Sequence, residues 1–203
     1  MMKNTDPGKF AAILLAAGPS SRLGQSKQLV RVDGESLVKR SVRLLRKLEP
    51  ESITVVTGCE AEGVEREIGD LSDTVVYNKN WARGMGASIS CGVRNIPKTV
   101  DGILLMVCDQ WRLEADDLFR LISSWRTDIS QIYMACWNEG QAFVSGPPVV
   151  FPCTLKQELK FTQENRGARQ VIDRNMDIVE FVRMENASCD LDRPEDLKLL
   201  LKP

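Results

Sequence analysis

Apolar runs and amphipathic stretches alternate along the first half of the chain. Four runs have the length and composition of buried strands: residues 10–16, 53–57, 74–77 and 103–108. Three segments between them repeat apolar positions at helical spacing: residues 36–48, 61–68 and 85–93. In the first of these, Leu37, Leu44 and Leu48 share one face, opposite Lys39 and Arg43. The alternation predicts an α/β fold in which helices cover both faces of a largely parallel sheet.

The second half of the chain is less regular. A helix is indicated by four residues at helical spacing: Leu118, Leu121, Ile122 and Trp125. The further predicted elements are strands at 132–135, 149–151 and 178–182 and helices at 167–175 and 194–201. No repeat or shift in composition marks a boundary, and 203 residues suit one hydrophobic core. We therefore expect a single domain, residues 1–203.

Charge and composition narrow the classes of partner. The net charge of −1, from 27 basic and 28 acidic residues, provides no general field for nucleic acid or an anionic membrane, so a small-molecule ligand is favoured. No apolar stretch approaches the roughly 20 residues that span a bilayer, and the N-terminus lacks the apolar core of a secretory signal. These features predict a cytoplasmic protein.

Two residue types limit the chemistry. The 6 cysteines are widely spaced and never form CxxC, which is typical of buried free thiols. The absence of histidine removes the commonest general base and any imidazole metal site. The chemistry must therefore use carboxylates, lysine, arginine, backbone amides or a hard cation.

The apolar run at residues 10–16 leads into a loop of small residues. Ala17 and Gly18 open the loop, and the cations Arg22 and Lys27 close it. Small residues let backbone N–H groups approach a polyphosphate while the cations offset its charge. The GxxxxGK[ST] pattern is absent because Gly24 is not followed by lysine, and GxGxxG is absent as well. The loop predicts a nucleotide site of a different class from P-loop NTPases and nicotinamide dehydrogenases.

Asp109 directly follows the strand predicted at residues 103–108. Open α/β sheets bind ligands at the carboxyl ends of their strands. A hard cation such as Mg²⁺ is commonly held there by one or two carboxylates, with phosphate oxygens and water completing the shell. We predict Asp109 as the first metal ligand, the alternative being an aspartate that caps the next turn.

The letters LAAG-x-S-S-R-x-G-x-x-K, from Leu15 to Lys27, resemble the signature of nucleotidyltransferases and are most similar to the molybdenum cofactor cytidylyltransferase family. The resemblance implies a three-layer, Rossmann-like nucleotidyltransferase fold with a mostly parallel mixed sheet. It implies a nucleotide-binding half at about residues 8–112 and an acceptor-binding half at about 113–203. Ala17, where guanylyl relatives tend to carry glycine, favours CTP over another NTP. The implied acceptor is molybdopterin or another phosphorylated compound, and a client molybdoenzyme is a further candidate partner.

The same resemblance assigns roles to individual residues. Lys27, Arg22 and Asp109 are the implied catalytic residues, with Lys27 beside the α-phosphate. The implied nucleotide-binding residues are Leu15, Ala16, Ala17, Gly18, Ser20, Ser21, Arg22, Lys27, Asn78, Gly84 and Ser88. Residues 189–197 are similar to the family's D-x-D-T-P-E-D-L, so Asp192 would complete an Mg²⁺ site with Asp109, and Asp190 is the fallback ligand. The spacing alone leaves open that Asp192 merely favours a helix N-terminus.

Two segments of the second half resemble the family's acceptor elements. Residues 145–151 are similar to G-x-P-V-x-F, and residues 164–169 are similar to G-D-x-G-A-R with Glu164 and Asn165 in place of Gly and Asp. Because the departures fall in the acceptor half, two alternatives stay open. One is a nucleotidyltransferase acting on a sugar or alditol phosphate. The other is a non-catalytic molybdoenzyme maturation factor that carries a nucleotide or pterin cofactor.

Overall fold

A seven-stranded sheet is the centre of the computed structural model, which describes residues 8–162, 166–198 and 200. The strands, including a separate short pair, are β1 (Phe10–Ala16), β2 (Arg31–Val32), β3 (Glu35–Ser36), β4 (Ser52–Thr57), β5 (Thr74–Tyr77), β6 (Gly102–Val107), β7 (Ile132–Glu139), β8 (Ala142–Pro152) and β9 (Val179–Arg183). The α-helices of the described chain are α1 (Leu37–Lys47), α2 (Ala61–Ile68), α3 (Met85–Val93), α4 (Ala115–Trp125), α5 (Lys156–Lys160), α6 (Arg169–Arg174) and α7 (Pro194–Leu197).

The strands of the large sheet lie in the order β5-β4-β1-β6-β8-β7-β9. Neighbouring strands are parallel except at β8, which runs antiparallel to both β6 and β7. In the middle of the sheet, Ile13 of β1 lies opposite Thr54 of β4 and Leu105 of β6. Strands β2 and β3 form an antiparallel pair of their own. The predicted α/β fold with a mostly parallel mixed sheet is confirmed.

Strand β1 is buried on both faces because the sheet is covered on both sides. Ala12 and Leu14 belong to a cluster with residues of α1, α2 and α4, whereas Ile13 and Leu15 belong to a second cluster with residues of α3, α5 and α6. Every residue of β1 is buried, which explains the unbroken apolar run in its sequence. The result is a three-layer arrangement whose central strands end at the same edge.

The structure extends two strands beyond their predicted bounds. Strands β7 and β8 form a long hairpin around Gly140, which has φ of +62°, whereas the sequence pattern predicts only residues 132–135 and 149–151. The outer part of the hairpin has exposed residues on both strands, so no apolar run marks it. Its strand structure comes from antiparallel backbone pairing between Trp137 and Val144 and onward to the turn.

Other predicted elements are shorter in the structure or fall partly outside it. The predicted helices at 167–175 and 194–201 appear as α6 and α7, and residues 199 and 201–203 lie outside the described residues. Glu164 and Asn165 of the predicted acceptor motif also lie outside them. In the described part of the chain, no helix has the length and apolar character needed to cross a membrane.

The cysteines are free, as predicted, but their burial differs from the prediction. Cys108 and Cys136 are buried, whereas four are only half-buried: Cys59, Cys91, Cys153 and Cys189. The half-buried thiols lie outside the strands, in helices or in the segments between elements. Among the described residues, no cysteine is placed in a metal-binding cluster.

Candidate active site

The predicted phosphate loop leaves the carboxyl end of β1. Ser20 and Gly24 both have positive φ, +51° and +75°, so the chain turns sharply twice before Lys27 begins a short 3-10 turn. The Lys27 backbone N–H donates to Ser20 Oγ at 3.0 Å, which closes the loop on itself. Arg22 and Ser21 are exposed at its rim. The loop, Lys27 and Asp192 line one depression of about 200 Å³.

Gln28 holds this loop in shape, a role that the sequence analysis missed. Its side chain is 1% exposed, and Nε2 donates to Ala16 O at 3.2 Å and Gly18 O at 2.7 Å. Its Oε1 accepts from the hydroxyl groups of Ser20 at 3.2 Å and Ser26 at 2.8 Å. One amide therefore ties both ends of the loop together. The available signal was a polar residue between Lys27 of the loop and the apolar pair Leu29 and Val30.

Asp109 lies just beyond β6, next to the loop, because β1 and β6 are parallel neighbours. The segment that carries Asp192 reaches the same place through backbone contacts. Asp190 pairs with Gln110 in an isolated antiparallel bridge, and the Leu191 N–H donates to Asp109 O at 3.0 Å. Leu191 is fully buried in a small cluster with Leu23 of the loop. This apolar contact anchors the C-terminal segment against the phosphate loop.

Lys27, Asp109 and Asp192 meet at one point. The Lys27 ammonium donates to Asp109 Oδ2 and, at 3.0 Å, to Asp192 Oδ1. The side chains are 18%, 14% and 47% exposed, respectively. Burial disfavours the charge on Lys27, but the carboxylates of Asp109 and Asp192 outweigh it and raise the pKa of the lysine above its ordinary value. The lysine is therefore charged at neutral pH.

The donor set around Asp109 fits a hard divalent cation that is shared with a ligand. Asp109 Oδ1 is buried and has no hydrogen-bond partner among the described residues. In the same part of the chain, no group of three or more His, Cys, Asp or Glu side chains is arranged to hold a metal. Two carboxylates alone leave most of an Mg²⁺ shell to phosphate oxygens and water, which is how this ion is usually bound beside nucleotides.

Asp190, the fallback ligand, takes part in the site through its backbone and its charge. Partial desolvation, followed by the neighbouring carboxylates of Asp109 and Asp192, raises the pKa of Asp190 to about 7. The residue as a whole stays exposed, so water screens part of this repulsion. In the structure Lys27 bonds to Asp109 and Asp192, not to Asp190.

The predicted nucleotide residues after β5 form a separate arrangement. Asn78 is buried, and its Nδ2 donates to Ser88 Oγ at 3.0 Å, which links the end of β5 to α3. Gly84 precedes α3 with φ of +104°, a conformation that favours glycine. Ala17 is also buried and packs near Trp81, because Gly58 lets the two segments approach closely. The structure therefore brings Lys27, Asp109 and Asp192 into contact and places Asn78 and Ser88 in a neighbouring contact of their own.

An apolar cavity of about 200 Å³ opens beside the carboxyl ends of β1 and β6. Leu15 and Val107 form its inner wall, and Gly146 and Pro147 of β8 form another side. Gln110 connects the two regions, because its Nε2 donates to Pro147 O at 2.8 Å and Ala187 O at 2.7 Å. The cavity is therefore fixed relative to Asp109. Arg166 and Arg169 contribute cations to its lining.

The structure thus brings a loop of small residues, a half-buried lysine and two facing carboxylates together at the carboxyl ends of β1 and β6. The chain matches the MobA-like NTP transferase domain family over residues 12–179 and belongs to that family. It is accordingly a nucleotidyltransferase.

The chain is also similar to individual proteins of known sequence and structure. The chain is 28% identical to the purine catabolism protein PucB of Bacillus subtilis over 79% of its own length and 78% of PucB. It is 31% identical to the bifunctional protein GlmU of Mycobacterium leprae over 58% of this chain, and it spans only 25% of GlmU. The crystal structure of Rv0371c from Mycobacterium tuberculosis superposes with a TM-score of 0.82 at 22% identity, covering 98% of this chain and 100% of that one. A Methanothermobacter nucleotidyl transferase superposes with a TM-score of 0.78 at 19% identity, covering 95% of each chain. These structural similarities show a shared fold.

Proposed function

We propose that this nucleotidyltransferase transfers CMP from CTP to the phosphate of molybdopterin, with Mg²⁺, and releases pyrophosphate. The observation that carries the proposal is the meeting of Lys27, Asp109 and Asp192 beside the phosphate loop. These residues come from three distant parts of the chain, and pairing two carboxylates with one half-buried lysine suits a site that exchanges charged ligands.

In the proposed reaction an oxygen of the acceptor phosphate attacks the α-phosphorus of CTP. A new oxygen–phosphorus bond forms as the bond from the α-phosphorus to the bridging oxygen of the β-phosphate breaks, and pyrophosphate leaves with that electron pair. Lys27 and Arg22 would offset the charge of the phosphates, and Asp109 and Asp192 would hold Mg²⁺, which supplies further charge neutralisation. The attacking phosphate oxygen is already anionic, so the lack of histidine does not hinder the reaction. Catalysis would depend on positioning and electrostatics.

The apolar cavity beside β6 is the proposed acceptor pocket. Its walls suit a flat heterocycle, and Arg166 and Arg169 suit the acceptor phosphate. Both arginines pair with Asp173, at 3.5 Å and 2.9 Å. These pairs are exposed and therefore weak, so a phosphate can compete for the guanidinium groups. The preference for CTP rests on the sequence resemblance. It does not rest on a contact made by Ala17, because the methyl group of this residue is buried within the protein.

A pyrophosphate-release assay tests the proposal. The purified protein would be mixed with Mg²⁺, one nucleotide of a CTP, GTP, ATP and UTP panel, and either molybdopterin or a sugar or alditol phosphate. We expect release with CTP and molybdopterin and at least a hundredfold loss in Asp109→Asn. Asp116→Asn, which changes an exposed aspartate on α4, is the matched control and should retain the wild-type rate. Pyrophosphate release with a sugar phosphate alone would replace the proposed acceptor, and absence of release with every pair would refute the proposal.

A second candidate is a carrier that delivers a nucleotide or pterin cofactor to a client enzyme. This alternative stays open because the similarity to PucB, which is named a purine catabolism protein, extends over about four fifths of both chains, and that name does not specify nucleotidyl transfer. The carrier hypothesis predicts delivery of the cofactor to the client without pyrophosphate release. The carrier hypothesis also predicts that Asp109→Asn still delivers the cofactor to the client enzyme. The transferase hypothesis predicts that this variant stops delivery, because the nucleotide-linked cofactor is no longer made.

A further inference from the structure

The Lys27 ammonium is placed between the two carboxylates that would hold the metal. It donates to Asp109 Oδ2 and to Asp192 Oδ1, the latter at 3.0 Å. We infer that Lys27 acts as an internal occupant of the cation site, which must move away before a divalent cation enters. Metal and nucleotide would then bind together, because the phosphates provide the displaced ammonium with a new partner. The inference rests on the proposed function in that it takes the incoming ligand to be a nucleotide.

Competition follows from the atoms that the two cations share. Mg²⁺ and Mn²⁺ bind carboxylate oxygens directly, and the ammonium occupies one oxygen of each carboxylate. A divalent ion at those oxygens would also face the positive charge of Lys27 at hydrogen-bonding range, and Lys27 and Asp109 are both largely shielded from water. Asp109 Oδ1 is the buried acceptor that the lysine does not use. In the free protein, Lys27 therefore neutralises part of the negative charge of Asp109 and Asp192, and the site should bind a metal only weakly.

The phosphate loop borders a space into which the Lys27 side chain can move. Its backbone is fixed, because the Lys27 N–H donates to Ser20 Oγ and Gln28 anchors the loop beside it. Only the flexible four-carbon side chain has to move. The depression that it borders is also lined by Ser21 and Arg22, where a polyphosphate would lie. A bound polyphosphate would draw the ammonium from the carboxylates and free them for the metal, and this coupling must act equally in both directions.

Mn²⁺ binding to the nucleotide-free protein, followed by electron paramagnetic resonance of the free ion, tests the competition. We expect Lys27→Met to bind Mn²⁺ at least tenfold more tightly than wild type, because its carboxylates are no longer paired. Arg22→Met is the matched control, since it removes a positive charge from the same loop without releasing a carboxylate. The double variant Lys27→Met with Asp109→Asn should not show this increase in Mn²⁺ affinity. An unchanged or weaker affinity in Lys27→Met, or an equal gain in Arg22→Met, would overturn the inference.

A second test uses a nucleotide analogue to draw Lys27 from the carboxylates and compares wild type with Lys27→Met. The non-hydrolysable analogue α,β-methylene-CTP should increase Mn²⁺ affinity at least tenfold in wild type. The increase should be clearly smaller in Lys27→Met, where the carboxylates are free from the start. Equal increases in both proteins would contradict the exchange of the ammonium between carboxylate and phosphate. These binding measurements remain decisive if no acceptor yields pyrophosphate, so failure of the proposed reaction is distinguishable from failure of the cation exchange.

Discussion

Replacement of Gln28 by leucine should loosen the phosphate loop more than any exposed change within it. Leucine has a similar volume but can neither donate to Ala16 O and Gly18 O nor accept from Ser20 and Ser26. A hydrogen bond contributes a net 0.5–1.5 kcal/mol, roughly, so four such bonds amount to about 2–6 kcal/mol. The added apolar contact of leucine offsets part of this loss. We expect a destabilisation of about 3 kcal/mol.

The effect is measurable in two ways. Urea unfolding should show a lower midpoint at unchanged slope, and a domain of this size should lose roughly 6–12 °C in its melting temperature. Titration calorimetry should show CTP binding weakened at least tenfold, because Ser20 keeps its left-handed conformation only while the loop is held. The loss of binding should persist at temperatures where the variant is fully folded.

Gln25 provides the control for this prediction. It lies in the same loop but is exposed, so Gln25→Leu should change stability by less than about 0.5 kcal/mol and leave CTP binding unchanged. Gln28→Glu keeps the shape and the acceptor oxygens but loses the donor to the two carbonyl groups, so it should resemble Gln28→Leu. A Gln28→Leu protein as stable as Gln25→Leu, with wild-type CTP affinity, would refute the reasoning.

Three other changes address the packing and the metal site. Gly102→Ala should lower the free energy of unfolding in urea by about 1–3 kcal/mol, because the new Cβ would collide with the ring of the fully buried Trp125. An unchanged midpoint would contradict this. Gln110→Leu should cost about 2 kcal/mol, because the carbonyl groups of Pro147 and Ala187 lose a buried donor, and an equally stable variant would show that water replaces it. Asp192→Asn should increase the Mg²⁺ concentration for half-maximal pyrophosphate release at least tenfold. EDTA should stop the wild-type reaction until Mg²⁺ is restored. A rate that does not depend on the metal would exclude Asp192 as an Mg²⁺ ligand.

Local patterns predicted most of the three-layer fold. The apolar run of β1 requires burial on both faces, and the stripe on α1 requires one covered face, so both could be recognised without tertiary information. The outer part of the β7–β8 hairpin could not be recognised from the sequence alone. Its residues are exposed, and its conformation depends on pairing with another strand instead of on its own composition.

In the candidate site, too, some features are local in the sequence and others depend on tertiary packing. The sequence by itself determined that a small-residue loop with Lys27 follows a buried strand and that Asp109 follows another, since both features are local. Only the tertiary structure decided that Asp192 reaches them, through the pairing of Gln110 with Asp190 and the burial of Leu191. It also decided that the lysine pairs with both carboxylates and that Gln28 holds the loop. Long-range contacts of this kind depend on how whole elements pack, and residues more than 80 positions apart carry no local trace of meeting.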